Sequence, residues 1–176
     1  MDPFDRYLRR PLDELLVTQG VLNRSKADEL VASAAEADEP FSTALLDAAV
    51  LTPWDLARLV AVHYQMPVHP LAGYKFEKEL FAGLRPEVLH RYHVVPLAVF
   101  GRSRTFAVVE PPSRELLDVL TATLGTSLFF FVAEAPEVHR VLGEHVKVVD
   151  AAADTSWQKM FDSAEAEVSK TLKNGR

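Results

Sequence analysis

The sequence contains no cysteine among its 176 residues. Disulfide bonds, thiolate zinc sites and cysteine nucleophiles are therefore excluded, and the absence fits a reducing compartment. Long hydrophobic runs are also lacking, since the longest apolar stretch, residues 127–133, is far shorter than a bilayer-spanning helix. The N-terminal residues place acids ahead of the first basic pair and have no apolar segment, unlike a signal peptide. We expect a cytoplasmic protein.

Positive charge is also scarce. The net charge is −6, from 19 Lys and Arg residues against 25 Asp and Glu residues. Basic residues form only short groups, such as Arg9-Arg10 and the pair Arg102 and Arg104. Neutralising a phosphate backbone needs clustered cations, so we expect no nucleic-acid partner. The hydrophobic fraction of 48% is enough for a packed core.

What is present is an internal repeat with an offset of 29 positions. Each copy reads as a short helix, a turn and a longer helix. Gly20 ends the first short helix, and Asn23 and Thr52 are suited to cap the two longer helices. Two stacked copies predict a four-helix core. The paired positions are Pro11 and Pro40, Leu12 and Phe41, Leu16 and Leu45, Val21 and Val50, Asn23 and Thr52, and Val31 and Val60.

The pattern changes after Met66. Prolines and Gly73 in residues 66–73 indicate a linker. Apolar, β-branched segments then alternate with helical ones, which predicts a small sheet covered by helices and an α+β fold class overall. We expect a hairpin of two strands, and burial of the third strand on both faces because it is continuously apolar. The predicted strands are 94–100, 105–109 and 127–133, and the predicted helices that follow the hairpin are 113–124 and 136–145.

The C-terminal segment has an amphipathic pattern. Trp157, Met160, Phe161 and Val168 lie at intervals that place them on one face of a helix. We interpret this face as a partner-binding surface, although packing against the chain's own domain would give the same pattern. The predicted organisation is a helical tandem-repeat subdomain (1–65), a linker (66–73), a three-stranded α/β sandwich (74–147), and a connector with the amphipathic helix (148–176).

Four segments in order resemble a known family. Residues 12–22 are similar to its opening "LGELLVEQGLI", and Tyr64-Gln65-Met66-Pro67-Val68 is similar to its "Q-x-G-x-P-x-V". Residues 84–97 resemble "LPEELARRYRVLPL", and residues 105–112 stand where the family has "LTVAMADPTD". The family is the N-terminal domain of type II secretion and type IV pilus assembly ATPases, of the GspE, PilB and MshE type. The resemblance covers roughly residues 10 to 146.

The resemblance implies one of two functions. Some such domains dock onto a membrane-platform protein, and others bind cyclic di-GMP through two copies of R-L-G-x-x-L-x-x-x-G-x-I, each followed by a Gln. In the first copy here, the Arg, first Gly, second Gly and Gln positions hold Pro11, Asp13, Gly20 and Ala34. In the second copy they hold Pro40, Ser42, Ala49 and His63. The residues that the resemblance leaves for a nucleotide are Arg9, Arg10, Leu12, Gly20, Phe41 and His63.

These replacements favour docking, because Asp13 would repel a phosphate and the lost Arg and Gln side chains would have donated hydrogen bonds. No phosphate loop G-x-x-x-x-G-K-[ST] is present, and we expect no catalytic activity. The histidines lack the carboxylate spacing of a metal site, so we expect no metal or cofactor. We predict a stand-alone adaptor of a secretion or pilus machine that reaches the membrane only through its protein partner. The alternative is a cyclic di-GMP sensor.

Overall fold

The computed structural model describes residues 4–125 and 127–147. The C-terminal residues predicted to bind a partner, Trp157, Met160, Phe161 and Val168, lie outside the described residues. The helices are α1 (Asp5–Leu8), α2 (Leu12–Thr18), α3 (Arg24–Ala37), α4 (Phe41–Asp47), α5 (Pro53–Tyr64), α6 (Pro86–Arg91), α7 (Arg114–Leu124) and α8 (Ala135–His145), with a 3₁₀ helix at Lys78–Phe81. The strands are β1 (Val94–Phe100), β2 (Ser103–Val108) and β3 (Leu128–Val132).

The tandem repeat is present in the backbone. Helices α2 and α4 begin 29 residues apart, as do α3 and α5. Both short helices follow a proline in extended conformation, with φ −61° and ψ 151° at Pro11 and φ −60° and ψ 149° at Pro40. Proline fixes φ near this value and removes a donor that a helix start cannot use. The structure therefore confirms the two repeated units.

The longer helices begin with equivalent caps. The Asn23 side chain accepts a hydrogen bond from the Lys26 backbone N–H at 2.8 Å. The Thr52 hydroxyl accepts one from the Asp55 backbone N–H at 3.1 Å. Each cap satisfies one of the free donors at a helix start. The predicted caps are confirmed, and they fix where α3 and α5 leave the preceding turn.

The sheet has the order β1-β2-β3. Strands β1 and β2 are antiparallel and form the predicted hairpin, with a register shift between Pro96 and Ala98. Strand β3 runs parallel to β2, and α7 connects them. A parallel pair requires such a crossover. Helices and sheet together give the α+β class that the sequence predicts.

Strand β3 is not buried on both faces, so that prediction is wrong. Leu128, Phe130 and Val132 are buried, but Phe129 is 48% exposed. Successive side chains of a strand point to opposite faces. On the face of Phe129, Phe131 is partly buried and its ring lies 5.6 Å from that of His69. On this face the rest of the protein therefore covers Phe131 but leaves Phe129 exposed. A run of apolar residues does not by itself show which of them are covered.

Residues 66–73 pack into the protein. Met66 is 2% exposed and Leu71 is fully buried. The backbone of this segment exchanges hydrogen bonds with Val132 at the edge of the sheet, from His69 N–H and to the Pro67 carbonyl, both at 2.9 Å. The Glu137 carboxylate accepts hydrogen bonds from two further N–H groups of the segment. The buried residues of the repeat and of the sheet form one hydrophobic cluster. The subdomain boundaries stay a prediction.

Candidate functional site

Three arginines near the N-terminus share one cavity with the end of α5. The cavity has a volume of about 200 Å³. Arg6 lies on α1, and Arg9 and Arg10 lie between α1 and α2. His63 is on the last turn of α5, and Gln65 caps that helix in left-handed conformation. We call this cavity the arginine pocket; its lining is Arg6, Arg9, Arg10, Leu15, His63, Tyr64 and Gln65.

The arginine pocket carries positive charge that no carboxylate of the described residues neutralises in an ion pair. Among the described residues, no carboxylate forms a salt bridge with Arg6, Arg9 or Arg10, whereas Arg91 meets Asp38 at 2.8 Å. The Arg6 guanidinium lies 4.6 Å from the centre of the Tyr7 ring and donates to its hydroxyl. The pocket is therefore a cationic concavity on an acidic protein.

Tyr64 ties the arginine segment to α5. Its hydroxyl donates a hydrogen bond to the Arg10 backbone carbonyl at 2.8 Å. Burial raises the pKa of the Tyr64 hydroxyl well above its ordinary value, and the nearby carboxylates of Glu110 and Asp13 raise it further. The phenol therefore stays protonated and keeps donating. This bond fixes the Arg10 backbone beside the end of α5.

A second, more apolar cavity of about 350 Å³ lies beside the first. Leu12 and Phe41, equivalent positions of the two repeats, both line it, so it lies where the two copies meet. Its charged groups are Arg10, Asp13 and Glu110. We call it the repeat cavity; its lining is Tyr7, Leu8, Arg10, Pro11, Leu12, Asp13, Val31, Phe41, Tyr64, Glu110, Pro111, Pro112 and Ser113.

Glu110 is a residue of this region that sequence reasoning missed. Its carboxylate accepts a hydrogen bond from the Ser42 backbone N–H at 2.6 Å, at the start of α4. The residue is partly exposed, but protein encloses its carboxyl group. Burial raises the pKa of this carboxyl, and hydrogen bonding from Ser42 opposes the rise. An acid two residues after the end of β2 and directly before Pro111-Pro112 was the only signal in the sequence.

The structure brings most of the predicted ligand-binding residues together. Arg9, Arg10 and His63 line the arginine pocket, and Leu12 and Phe41 line the repeat cavity with Arg10. The ligand-binding role of these residues stays a prediction.

Gly20 is the exception, since it lines neither cavity. It ends α2 with φ 72°, a left-handed conformation that glycine adopts without steric cost. The geometry accounts for Gly20 as a turn residue, and its proposed contact with a ligand also stays a prediction.

The sequence analysis also did not predict a row of exposed side chains on α5. Trp54 is 52% exposed and Val62 is 69% exposed. With Arg58 between them, they follow the i, i+4, i+8 spacing of one helix face. Leu56 and Val60 fill the buried face of the same helix. We call Trp54, Arg58 and Val62 the α5 stripe; a tryptophan off the buried positions was its only sign in the sequence.

Two histidines meet elsewhere on the protein. His93 Nδ1 lies 3.2 Å from His139 Nε2. Burial lowers the pKa of His93 to about 4, with smaller contributions from His139 and His90. In residues 4–125 and 127–147 no three or more His, Asp or Glu side chains are grouped as a metal ion would require. Within the same residues, no helix has the length and apolar character needed to cross a membrane.

The fold combines a tandem pair of helical units with a small three-stranded sheet, and a cavity lies where the repeats meet. Together with the comparisons that follow, it identifies the class as the N-terminal domains of type II secretion and type IV pilus ATPases. The sequence model of the MshEN domain matches residues 64–152, just over half of the chain. The chain belongs to the MshEN family.

Solved structures share the fold. The one described as "Structure of MshE with cdg" is 16% identical, with a TM-score of 0.56, and the match covers 78% of this chain and 99% of that one. A structure of the N-terminal domain of XpsE is 17% identical, with a TM-score of 0.58, covering 81% of this chain and 94% of that one. At this identity the likeness shows the fold alone. A search of curated proteins found no match.

Proposed function

We propose that the chain is a non-catalytic docking module of a type II secretion or type IV pilus machine, and that it binds a protein component of that machine. The observation that carries the proposal is the α5 stripe. Trp54 and Val62 expose 52% and 69% of their surface on one helix face. Two large apolar side chains exposed on one helix face, with an arginine between them, are compatible with a protein interface.

The energetics favour Trp54 as the centre of such an interface. Tryptophan and arginine are the residues most enriched among those that dominate binding energy. Arg58 lies one turn after Trp54, and its guanidinium is 4.0 Å from the Asp55 carboxylate on the same helix. Exposed pairs at that distance contribute little, so Arg58 remains able to bind a partner's acid.

The sequence resembles N-terminal domains of which some dock onto a membrane-platform protein. The proposed partner is therefore the membrane-platform protein of the machine, on its cytoplasmic side. The chain would then reach the membrane only through that partner. The sequence has no phosphate loop, which supports a module without its own ATPase activity.

Calorimetric titration of the full chain with the cytoplasmic domains of the platform proteins from the same genome tests this function. One domain is expected to bind saturably, and Trp54→Ala is expected to weaken it more than about tenfold. Phe100→Ala removes an aromatic ring that is 70% exposed on the hairpin and serves as the matched control. Absence of binding to every platform domain would refute the proposal, as would equal weakening by the control.

Cyclic di-GMP binding is the second candidate. Arg9, Arg10 and His63 line one cavity, and Leu12 and Phe41 line the next. A related fold has been solved as MshE with cdg. Against it, Asp13 adds a carboxylate to the repeat cavity, beside Glu110. Titration with cyclic di-GMP decides: a Kd of about 1 to 10 μM would support a sensor, and no heat up to about 500 μM would exclude it.

A further inference from the structure

The charge of the arginine pocket is unusual for this chain. Acidic residues exceed basic ones by 25 to 19, yet Arg6, Arg9 and Arg10 lie within five residues of each other and line the same cavity. Like charges this close repel each other. Among the described residues, no salt bridge offsets that repulsion at these three side chains. The arrangement is complementary to an anionic group that the described residues do not supply.

The pocket is built on an anchored segment. Phe4 and Tyr7 are buried, at 5% and 3% exposure, on either side of Arg6. The Tyr7 ring packs edge-on against Phe130 of β3, with ring centres 5.5 Å apart. At the other end, the Tyr64 hydroxyl holds the Arg10 carbonyl. The core therefore fixes the backbone that carries the three guanidinium groups.

The chemistry and size of the cavity define the kind of group that fits. Guanidinium groups bind carboxylates through paired, charge-assisted hydrogen bonds. Leu15 and Tyr64 supply an apolar floor, and the Gln65 amide adds a neutral donor. A volume of about 200 Å³ accommodates one acidic side chain with its methylene groups and is small for a whole ligand.

From these features we infer that the arginine pocket receives an acidic segment of a protein partner, with a Glu or Asp side chain inserted among Arg6, Arg9 and Arg10. The inference rests on the proposed docking function and deepens it, because it names the chemistry of the partner. The α5 stripe would supply apolar contact, and the pocket would select for negative charge and accelerate association.

The test uses the full chain and a fluorescein-labelled hexaglutamate peptide, followed by fluorescence anisotropy. We expect saturable binding below about 100 μM that weakens about tenfold between about 50 and 500 mM salt. Hexaglutamine is expected not to bind. The double variant Arg9→Gln/Arg10→Gln is expected to lose at least about tenfold in affinity, because charge-assisted hydrogen bonds are removed.

The double variant Arg102→Gln/Arg104→Gln makes the same change in net charge at the hairpin turn and the start of β2, and is the matched control. Equal loss in both double variants would overturn the inference, since only net charge would then matter. No saturable binding would also overturn it. Displacement of the peptide by inorganic phosphate or cyclic di-GMP below about 100 μM would show a phosphate site instead.

Failure of the acidic-segment inference can be distinguished from failure of the proposed docking function. If hexaglutamate does not bind but a platform domain does, the docking function stands and the acidic-segment inference fails. If hexaglutamate binds as expected but no platform domain does, docking to the platform fails and the acid-binding pocket remains.

Discussion

Ala49 holds the same left-handed turn as Gly20, 29 residues after it. Their φ angles are 51° and 72°, and each turn is followed by an equivalent hydrogen bond, from Val21 N–H to the Leu16 carbonyl and from Val50 N–H to the Leu45 carbonyl. The second repeat thus has the same backbone turn as the first, with alanine at the position where the first has glycine. A left-handed alanine costs about 1 to 2 kcal/mol, so the packing of the repeat must offset that cost.

Ala49→Gly is expected to stabilise the fold by roughly 0.5 to 1 kcal/mol, because strain is relieved while the unfolded chain gains some freedom. Gly20→Ala is the reciprocal variant. No atom lies within 4 Å of a Cβ added at Gly20, so its expected loss of about 1 kcal/mol is purely conformational. Urea unfolding measures both. Destabilisation by Ala49→Gly would show that the turn is not strained.

The raised pKa of Glu110 predicts that this residue stabilises the fold more as the pH is lowered. Its pKa is raised in the fold, so the folded state binds a proton more tightly than the unfolded state. Its contribution is fully favourable below the unfolded pKa near 4.5 and is lost as pH rises through the higher folded pKa. Glu110→Gln keeps an oxygen for the Ser42 N–H and removes the charge. We expect this variant to be at least as stable as the parent at pH 7, with the difference shrinking towards pH 4.5.

Glu110→Ala is the matched control for that measurement. It leaves the Ser42 N–H without its acceptor, and we expect a loss of about 1 to 2 kcal/mol at pH 7 that grows towards pH 4.5, because only the parent gains the stabilising proton there. If Glu110→Gln and Glu110→Ala are equally destabilised in chemical unfolding at pH 7, the carboxylate charge stabilises the fold and the expected direction is wrong.

The lowered pKa of His93 predicts the opposite effect, a loss of stability as the pH is lowered. Its pKa is lowered from 6.5 to about 4, so the unfolded state takes up the proton first. Stability is therefore lost as pH falls from about 6.5 to about 4, by up to about 3 kcal/mol. Burial also lowers the pKa of the neighbouring His139, while the Glu39 and Asp47 carboxylates oppose that shift.

His93→Asn is the variant that checks the histidine effect. Asparagine tolerates the left-handed backbone at this position, where φ is 47°. The slope of unfolding free energy against pH between about 4 and 6.5 is expected to flatten in the variant. An unchanged slope would assign the acid sensitivity of the protein to other groups.

Trp54 and Leu56 lie on opposite faces of α5, so we expect their alanine variants to differ in their effect on stability. Trp54 is 52% exposed, and Trp54→Ala is expected to change the free energy of unfolding by less than about 0.5 kcal/mol. Leu56 is 1% exposed, and Leu56→Ala is expected to cost about 2 to 5 kcal/mol. Thermal and urea unfolding compare the two. A large loss in Trp54→Ala would mean that the tryptophan belongs to the core.

Local sequence patterns were sufficient for the elements whose causes are local. The starts of the helices can be predicted from the sequence, because the prolines before α2 and α4 and the caps at Asn23 and Thr52 act within three residues. The β1–β2 hairpin is likewise set by neighbours in the chain. The exposure of Phe129 was mispredicted, because it depends on which distant segment covers that part of the sheet.

By itself, the sequence determined the two repeated units, the order of helices and strands, and the apolar positions of the core, since periodicity and capping are properties of adjacent residues. Only the tertiary structure decided that Arg9 and Arg10 share a cavity with His63, and that Glu110 reaches the Ser42 N–H across 68 positions. Such contacts depend on how separate elements pack, because chain closure brings together groups that no local pattern relates.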